Sequence, residues 1–219
     1  MLKRKLTTSD FLLILVNLIP VYGVWFEGCN ASQIFLVYCL ETIIIGILNV
    51  LKMTFVTLFI KSKDEWRNNG FTTLQTGWLF IFFFIFHYGI FVFIQTQIFF
   101  DVSGLIKSNS VFGNYTAIPN ALGNEGKLLL LIFVIYYSLQ DFYNFFFAGE
   151  YKTISLNSLM FRPYGRIIIQ QFVVIAGSMF LTFGAGKIFI LILATVKIFF
   201  EVYFNFNNII AYADKNGKA

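Results

Sequence analysis

Val37-Tyr-Cys-Leu-Glu41-Thr-Ile-Ile-Ile-Gly46-Ile-Leu-Asn49-Val-Leu-Lys52 is an apolar stretch that carries one acidic side chain, one basic side chain and one amide. The apolar segment around it is long enough to cross a membrane as a helix. Ionised side chains are costly in hydrocarbon, so they usually face a protein partner or a water-filled cavity. We therefore expect Glu41 to meet polar groups that other helices supply.

The composition of the whole chain also indicates a membrane protein. Its 219 residues are 58% hydrophobic and 12% charged, whereas a soluble domain has about 25% charged residues. The formal charge of +5 is small and concentrated at the ends of apolar segments, which argues against nucleic-acid binding. Two cysteines and one histidine argue against a disulfide framework, a metal site and a haem centre. We expect no cofactor.

The apolar segments predict an all-α, polytopic membrane protein, with six transmembrane helices in a single domain, residues 1–219. The predicted spans are 11–26, 33–60, 72–100, 127–148, 166–183 and 188–208. Between them we expect a polar loop at 61–70, an outer loop at 101–126 and a cytoplasmic interfacial segment at 150–165. The outer loop is either an ordered extramembrane loop or a shallow re-entrant segment.

The basic residues predict the orientation of these spans. With six spans, the basic N-terminus, second loop, fourth loop and tail all fall on one side of the membrane. The positive-inside rule then places both termini in the cytoplasm. Because the Phe, Ile, Asn and Lys bias is typical of an A/T-rich bacterial genome, we expect a multi-pass protein of a bacterial inner membrane.

The geometry of a helix limits how the charges of the second span can pair. Glu41 and Lys52 differ by about 20° around a helix and are about 16 Å apart along it, so they cannot pair with each other. Lys52 has two open interpretations, a partner on another helix or a side chain that extends to the cytoplasmic interface. Glu41 is too short and too deep to reach water.

Other spans offer partners for Glu41. Lys197 and Glu201 begin a polar stripe that continues through Asn205 and Asn208, and they can also pair within their own helix. The fourth span carries Tyr137, Asp141 and Asn144 on one face. The candidate intramembrane polar site comprises Glu41, His87, Asp141, Lys197 and Glu201, with Asn49, Lys52, Asn144, Gln170 and Asn205 as secondary residues.

His87 has two interpretations. A lone histidine on an apolar helix is often a hydrogen-bonded core residue. However, counting residues from the span ends places His87 near the level of Asp141 and Lys197, and a protonated imidazole would balance the three predicted acids against the two lysines.

Two stretches carry a family resemblance. Asn17-Leu-Ile-Pro20-Val-Tyr-Gly23 and the run from Tyr38 to Lys52 resemble a prokaryotic family of six-helix integral membrane proteins of unknown function. The likeness is to a Tyr-Trp-x-Glu-Asn signature followed by Gly, Asn and Lys, although Cys39 and Thr42 replace the Trp and the Asn of that signature. Lys197 and Glu201 resemble the lysine and acid of that family's last helix. The resemblance implies no activity.

The sequence leaves three functional interpretations open. We favour a protein that binds or translocates a proton, an ion or a small polar solute through its buried polar cluster. The first alternative is a non-catalytic subunit or assembly factor of a larger membrane complex, or a homo-oligomer. The second is a membrane-embedded enzyme that modifies lipid or cleaves protein. We expect no catalytic residues, because the sequence contains no G-x-S-x-G, H-E-x-x-H or P-loop motif.

Overall fold

The computed structural model of the chain describes residues 7–60, 63–68, 71–106 and 110–203. It describes the backbone alone for Ser9, for residues 63–68 and 71–75, and for several residues between 166 and 203, Glu201 among them. The helices are α1 (Thr8–Phe26), α2 (Ala31–Phe55), α3 (Gly77–Ser103), α4 (Val111–Ala121), α5 (Gly123–Phe142), α6 (Leu156–Thr182) and α7 (Gly186–Tyr203). An antiparallel hairpin of β1 (Lys63–Asn68) and β2 (Phe71–Thr76) joins α2 to α3.

Local side-chain chemistry explains where several helices begin and end. Thr7 and Asp10 form a reciprocal capping box at the start of α1, and the Asn30 side chain accepts hydrogen bonds from two backbone N–H groups at the start of α2. These side chains satisfy donors that have no partner inside a helix. α3 ends at Gly104, whose φ of 60° suits a residue without a Cβ. α2 and α5 each continue into a π-helical turn, at Val56–Ile60 and Tyr143–Phe147.

Three helical segments within the described residues are long and apolar enough to cross a membrane: Ala31–Ile60, Gly77–Ser103 and Gly123–Phe147. Asp10–Phe26 is a shorter apolar helix. On α3 the side chains of Phe82 and Phe86 are 68% and 72% exposed, as expected for a surface that faces lipid rather than water. These features indicate a membrane protein.

Contacts between helix pairs establish their relative directions. α2 and α3 are antiparallel, because Phe35 packs on Phe99 while Thr57 lies against Gly77 at the other end of the pair. α2 and α7 are parallel, because Phe35 also packs on Phe189 and the later residue Glu41 contacts Lys197.

Two further helix pairs are parallel. α2 and α5 are parallel, since Gln33 lies beside Gly123 and Lys52 pairs with Asp141. α3 and α6 are also parallel, because His87 contacts Tyr164 and Phe91, further along α3, accepts a hydrogen bond from Gln171. α1 is antiparallel to α7, because the Trp25 indole near the end of α1 donates a hydrogen bond of 3.2 Å to the Lys187 carbonyl at the start of α7. Apart from α4, successive described helices therefore alternate in direction. The start of α1 and the end of α7 lie at the same end of the bundle, called the N-terminal end below.

α2 lies at the centre of this arrangement and packs against α1, α3, α5, α6 and α7. Its close contact with α3 depends on Gly46, where an added Cβ would lie 2.6 Å from the Tyr88 ring. The Tyr88 hydroxyl donates a hydrogen bond of 2.9 Å to the Thr42 carbonyl. A small residue thus permits an interhelical hydrogen bond in a part of the protein that is shielded from water.

A proline in α6 explains the position of Asn49. Pro163 lies inside the helix, and because proline has no backbone N–H, the carbonyl of Leu159 loses its usual partner four residues later. The Asn49 side chain, 1% exposed, donates a hydrogen bond of 2.9 Å to this Leu159 carbonyl. A side chain on α2 therefore satisfies the backbone group that the proline frees on α6.

The structure differs from the sequence-based expectations in three connecting segments. The predicted outer loop at 101–126 contains α4, Val111–Ala121, and the start of α5 at Gly123. The predicted loop at 61–70 and the predicted start of the third span at 72 are wrong, because residues 63–68 and 71–76 form a hairpin and the helix begins at Gly77. The predicted interfacial segment at 150–165 is not a separate element. It holds a single 3₁₀ turn at Glu150–Lys152, and from Leu156 onward it belongs to α6. The helical prediction holds for the body of the protein.

The proposed role of Asn49 can be tested with a double-mutant cycle. Asn49→Leu leaves the buried Leu159 carbonyl without a partner and should lower the free energy of unfolding by about 1–3 kcal/mol. Pro163→Ala restores a backbone N–H at position 163, so the same Asn49→Leu change should cost less in that background. Thermal unfolding of the four detergent-purified proteins measures the difference. Equal losses in the two backgrounds would contradict this explanation.

Candidate intramembrane site

Glu41 is the most completely buried acidic residue among the described residues, with 0% exposure. Both oxygens of its carboxylate have a partner from another helix. The Tyr137 hydroxyl on α5 donates a hydrogen bond to Oε1, and the Lys197 ammonium on α7 forms a hydrogen-bonded ion pair with Oε2. Three helices thus meet at one carboxylate.

The Lys197 ammonium is also held by two aromatic rings. It lies 4.9 Å from the centroid of the Tyr38 ring and 5.0 Å from that of the Phe133 ring, within the range of a cation–π interaction. Its side chain is 12% exposed. We call the group of Glu41, Tyr137, Lys197, Tyr38 and Phe133 the Glu41 centre.

Tyr38 connects the Glu41 centre to two further helices. Its hydroxyl donates a hydrogen bond of 3.4 Å to the Asn17 carbonyl on α1. Its backbone carbonyl accepts a hydrogen bond from the Gln170 side chain on α6. Asn17 lies one turn before Pro20, in the part of α1 where the proline disturbs the backbone ladder. The Glu41 centre therefore involves five helices, namely α2 in the middle and α1, α5, α6 and α7 around it.

A second ion pair joins α2 and α5 nearer the N-terminal end of the bundle. The Lys52 ammonium lies 3.0 Å from an Asp141 oxygen, with side-chain exposures of 16% and 35%. Asp141 follows Tyr137 by four residues and so occupies the same face of α5. Of the two interpretations of Lys52, the structure supports the one in which Lys52 pairs with a side chain on another helix.

His87 lies at a different interface. Its Nδ1 atom is 2.9 Å from the Tyr164 hydroxyl on α6, and its ring stacks on Phe83. The imidazole is half-buried, and none of its described contacts reaches the Glu41 centre. The structure therefore places His87 as a hydrogen-bonded residue between α3 and α6.

The structure divides the predicted site residues among these three places. Glu41 and Lys197 meet, Asp141 pairs with Lys52, and His87 lies apart. Of the secondary residues, Asn49 and Gln170 bind backbone carbonyls, and Asn144 is exposed. Glu201 lies on α7, but its side chain is outside the described residues, as is the whole of Asn205. Within the described part of the chain, no group of His, Cys, Asp and Glu side chains could hold a metal ion.

Sequence reasoning missed several members of the site. Tyr137 was placed on the Asp141 face but not in the site, although its position four residues before Asp141 was a usable signal. Tyr38 and Phe133 carry no polar pattern that would distinguish them from core aromatics. Gln95 on α3 is also buried at 0% exposure, and its side chain lies within hydrogen-bonding reach of the Cys39 thiol on α2. A glutamine within an apolar span was the available signal for it.

The contribution of the Glu41–Lys197 pair to stability can be measured by a second double-mutant cycle. Glu41→Gln or Lys197→Met alone leaves one buried charge without its partner and should cost about 3–5 kcal/mol of stability. The double variant removes both charges, so it should lose less than either single variant. The Lys52→Met and Asp141→Asn cycle is the matched control, where partial exposure limits the coupling to about 0–1 kcal/mol. Additive losses at Glu41 and Lys197 would show that the two side chains do not interact.

Comparison with known proteins locates the chain in one family. Neither the curated proteins nor the solved structures contain a match to it. A family model matches residues 1–218, which is nearly the whole chain. The chain therefore belongs to the family described as a family of unknown function, DUF6498.

Proposed function

We propose that the protein is an integral protein of a bacterial inner membrane that crosses it six times, with both termini in the cytoplasm. The alternating directions of the six long helices support this topology. α1 has 19 residues and α6 has 27, and about 20 residues suffice to cross a hydrocarbon core of about 30 Å. α4 would then belong to the outer connection between the third and fourth spans.

The charge distribution supports the orientation. Most basic residues lie in four segments: before α1, between α2 and α3, between α5 and α6, and after α7. By sequence these segments hold Lys3, Arg4, Lys5, Lys61, Lys63, Arg67, Lys152, Lys215 and Lys218. The connections at the opposite end and the helix starts beside them carry only Lys107, Lys127 and Lys187. An excess of lysine and arginine marks the cytoplasmic side of a membrane protein.

We further propose that the Glu41 centre binds and moves a proton, alone or together with a small polar solute. The observation that carries this proposal is the fully buried Glu41 carboxylate, which joins α2 to Lys197 of α7 and Tyr137 of α5. Protonation of the carboxylate, or binding of a solute to it, would remove the attraction that holds Lys197. The contact between α2 and α7 would then change, which is the kind of two-state element that a carrier needs.

The direction in which the polar groups point favours this role over that of a subunit. Glu41, Asn49 and Gln95 are at most 1% exposed, so they face the interior of the bundle. A subunit that used these residues to dock on a partner's helices would present them on its outer surface. The exposed side of α3 carries phenylalanines instead, which suit lipid.

Proton movement can be measured in proteoliposomes. With an imposed pH gradient and a trapped pH-sensitive dye, the wild-type protein should dissipate the gradient faster than protein-free vesicles, either alone or with the small-molecule fraction of a bacterial lysate. The Glu41→Gln/Lys197→Met double variant should fold but lose this flux, because it has no titratable carboxylate at the centre.

Two controls separate this function from a structural role. Glu150→Gln/Arg162→Met removes another ion pair, whose atoms lie 2.6 Å apart at the N-terminal end, and should leave the flux unchanged. If the Glu41→Gln/Lys197→Met protein conducts at the wild-type rate, or if the wild type shows no flux under either condition, the proposed function is wrong.

A further inference from the structure

Within the described part of the chain, the partners of the Lys197 ammonium come from two other helices, α2 and α5. Tyr38 and Glu41 lie three residues apart on α2, and Phe133 and Tyr137 lie four residues apart on α5, so each pair shares one face of its helix. The Tyr38 and Phe133 rings are in contact, with centroids 5.7 Å apart. α2 and α5 therefore form the walls of a site, and the Lys197 side chain of α7 fills it.

These walls have the chemistry of a receptor for an ammonium group. The carboxylate of Glu41 supplies a charged acceptor, and the two aromatic rings supply faces that attract a cation. Tyr38, Glu41 and Phe133 are 0% exposed and Tyr137 is 4% exposed, so the interaction is shielded from water. The Tyr137 hydroxyl donates to the other carboxylate oxygen and so holds the carboxylate in place.

We propose that this α2–α5 site binds the primary ammonium group of a small organic amine, and that Lys197 is a tethered occupant which such an amine replaces. The proposal deepens the proposed function and rests on it in one respect, namely that the Glu41 centre takes a solute. Replacement of one ammonium by another keeps the Glu41 carboxylate paired.

The size of the site specifies the class of amine. The space between the two rings and the carboxylate accommodates the terminal methylene and ammonium of Lys197, with the nitrogen about equally far from both centroids. A primary ammonium reproduces that shape and donates to Glu41. A tetraalkylammonium has no N–H and is too wide, so we expect it to be excluded.

Chemical rescue of a truncated side chain tests the site directly. Lys197→Ala removes three carbons and the ammonium, a fragment that n-propylammonium replaces, and should lower the melting temperature because it leaves Glu41 unpaired. Added n-propylammonium should restore at least half of that loss. Equal concentrations of n-propanol, tetraethylammonium or sodium should restore none of it. The Glu41→Gln/Lys197→Ala protein should not respond to the amine.

Each outcome of this experiment decides the proposal. Rescue that is equal for n-propanol and n-propylammonium, or that persists without Glu41, would overturn it. If Lys197→Ala does not fold without amine, the folded yield obtained with and without n-propylammonium becomes the measurement, and an unchanged yield overturns the proposal.

Failure of this inference can be told apart from failure of the proposed function. Amine rescue combined with an absence of any flux in wild-type proteoliposomes would support the ammonium site and refute transport. Proton flux that depends on Glu41, combined with no rescue, would refute the ammonium site alone. Uptake of radiolabelled n-propylammonium by wild-type vesicles, lost in the Glu41→Gln/Lys197→Met variant, would support both.

Discussion

The ion pair between Glu41 and Lys197 is the interaction on which the centre of this protein depends. A carboxylate with no exposed surface, in a bundle that faces lipid, must have partners inside the protein, because no water can replace them. Glu41 obtains one partner from α5 and one from α7, and its neighbour Tyr38 contacts α1 and α6. Glu41 and Tyr38, one turn apart on α2, thus contact all four of these helices and constrain their positions. The same pairing leaves the centre formally neutral.

The same constraint governs the backbone. Several polar side chains cross between helices to donate to backbone carbonyls: Asn49 to Leu159, Tyr88 to Thr42, Gln170 to Tyr38 and Gln171 to Phe91. Pro163 explains why the Leu159 carbonyl needs such a donor. In hydrocarbon a hydrogen bond of this kind replaces the water that a soluble protein would use. These contacts give α2, α3 and α6 a defined rotation about their axes, which brings Glu41 to face α5 and α7.

The sequence predicted the helical body but failed in the connections between helices. Residues 72–76 continue directly into an apolar run, so nothing in the local pattern marks the boundary between strand and helix at Gly77. Residues 150–165 contain a proline after several alternating polar and apolar residues, which suggested a break before the fifth span. The helix passes through Pro163 because Asn49, more than a hundred residues away, satisfies the freed carbonyl. Hydropathy and periodicity describe neighbours along one segment and carry no information about such a distant donor.

The sequence by itself determined that Glu41 must be paired, since a short acidic side chain deep in an apolar span has no route to water. It also indicated that the last helix and the Asp141 face could supply partners. Only the tertiary structure decided which groups meet. Lys197 reaches Glu41, Lys52 turns to Asp141, and His87 packs against Tyr164. These choices depend on which helices are neighbours, on their directions and on their rotations, and none of these is encoded in the periodicity of a single helix.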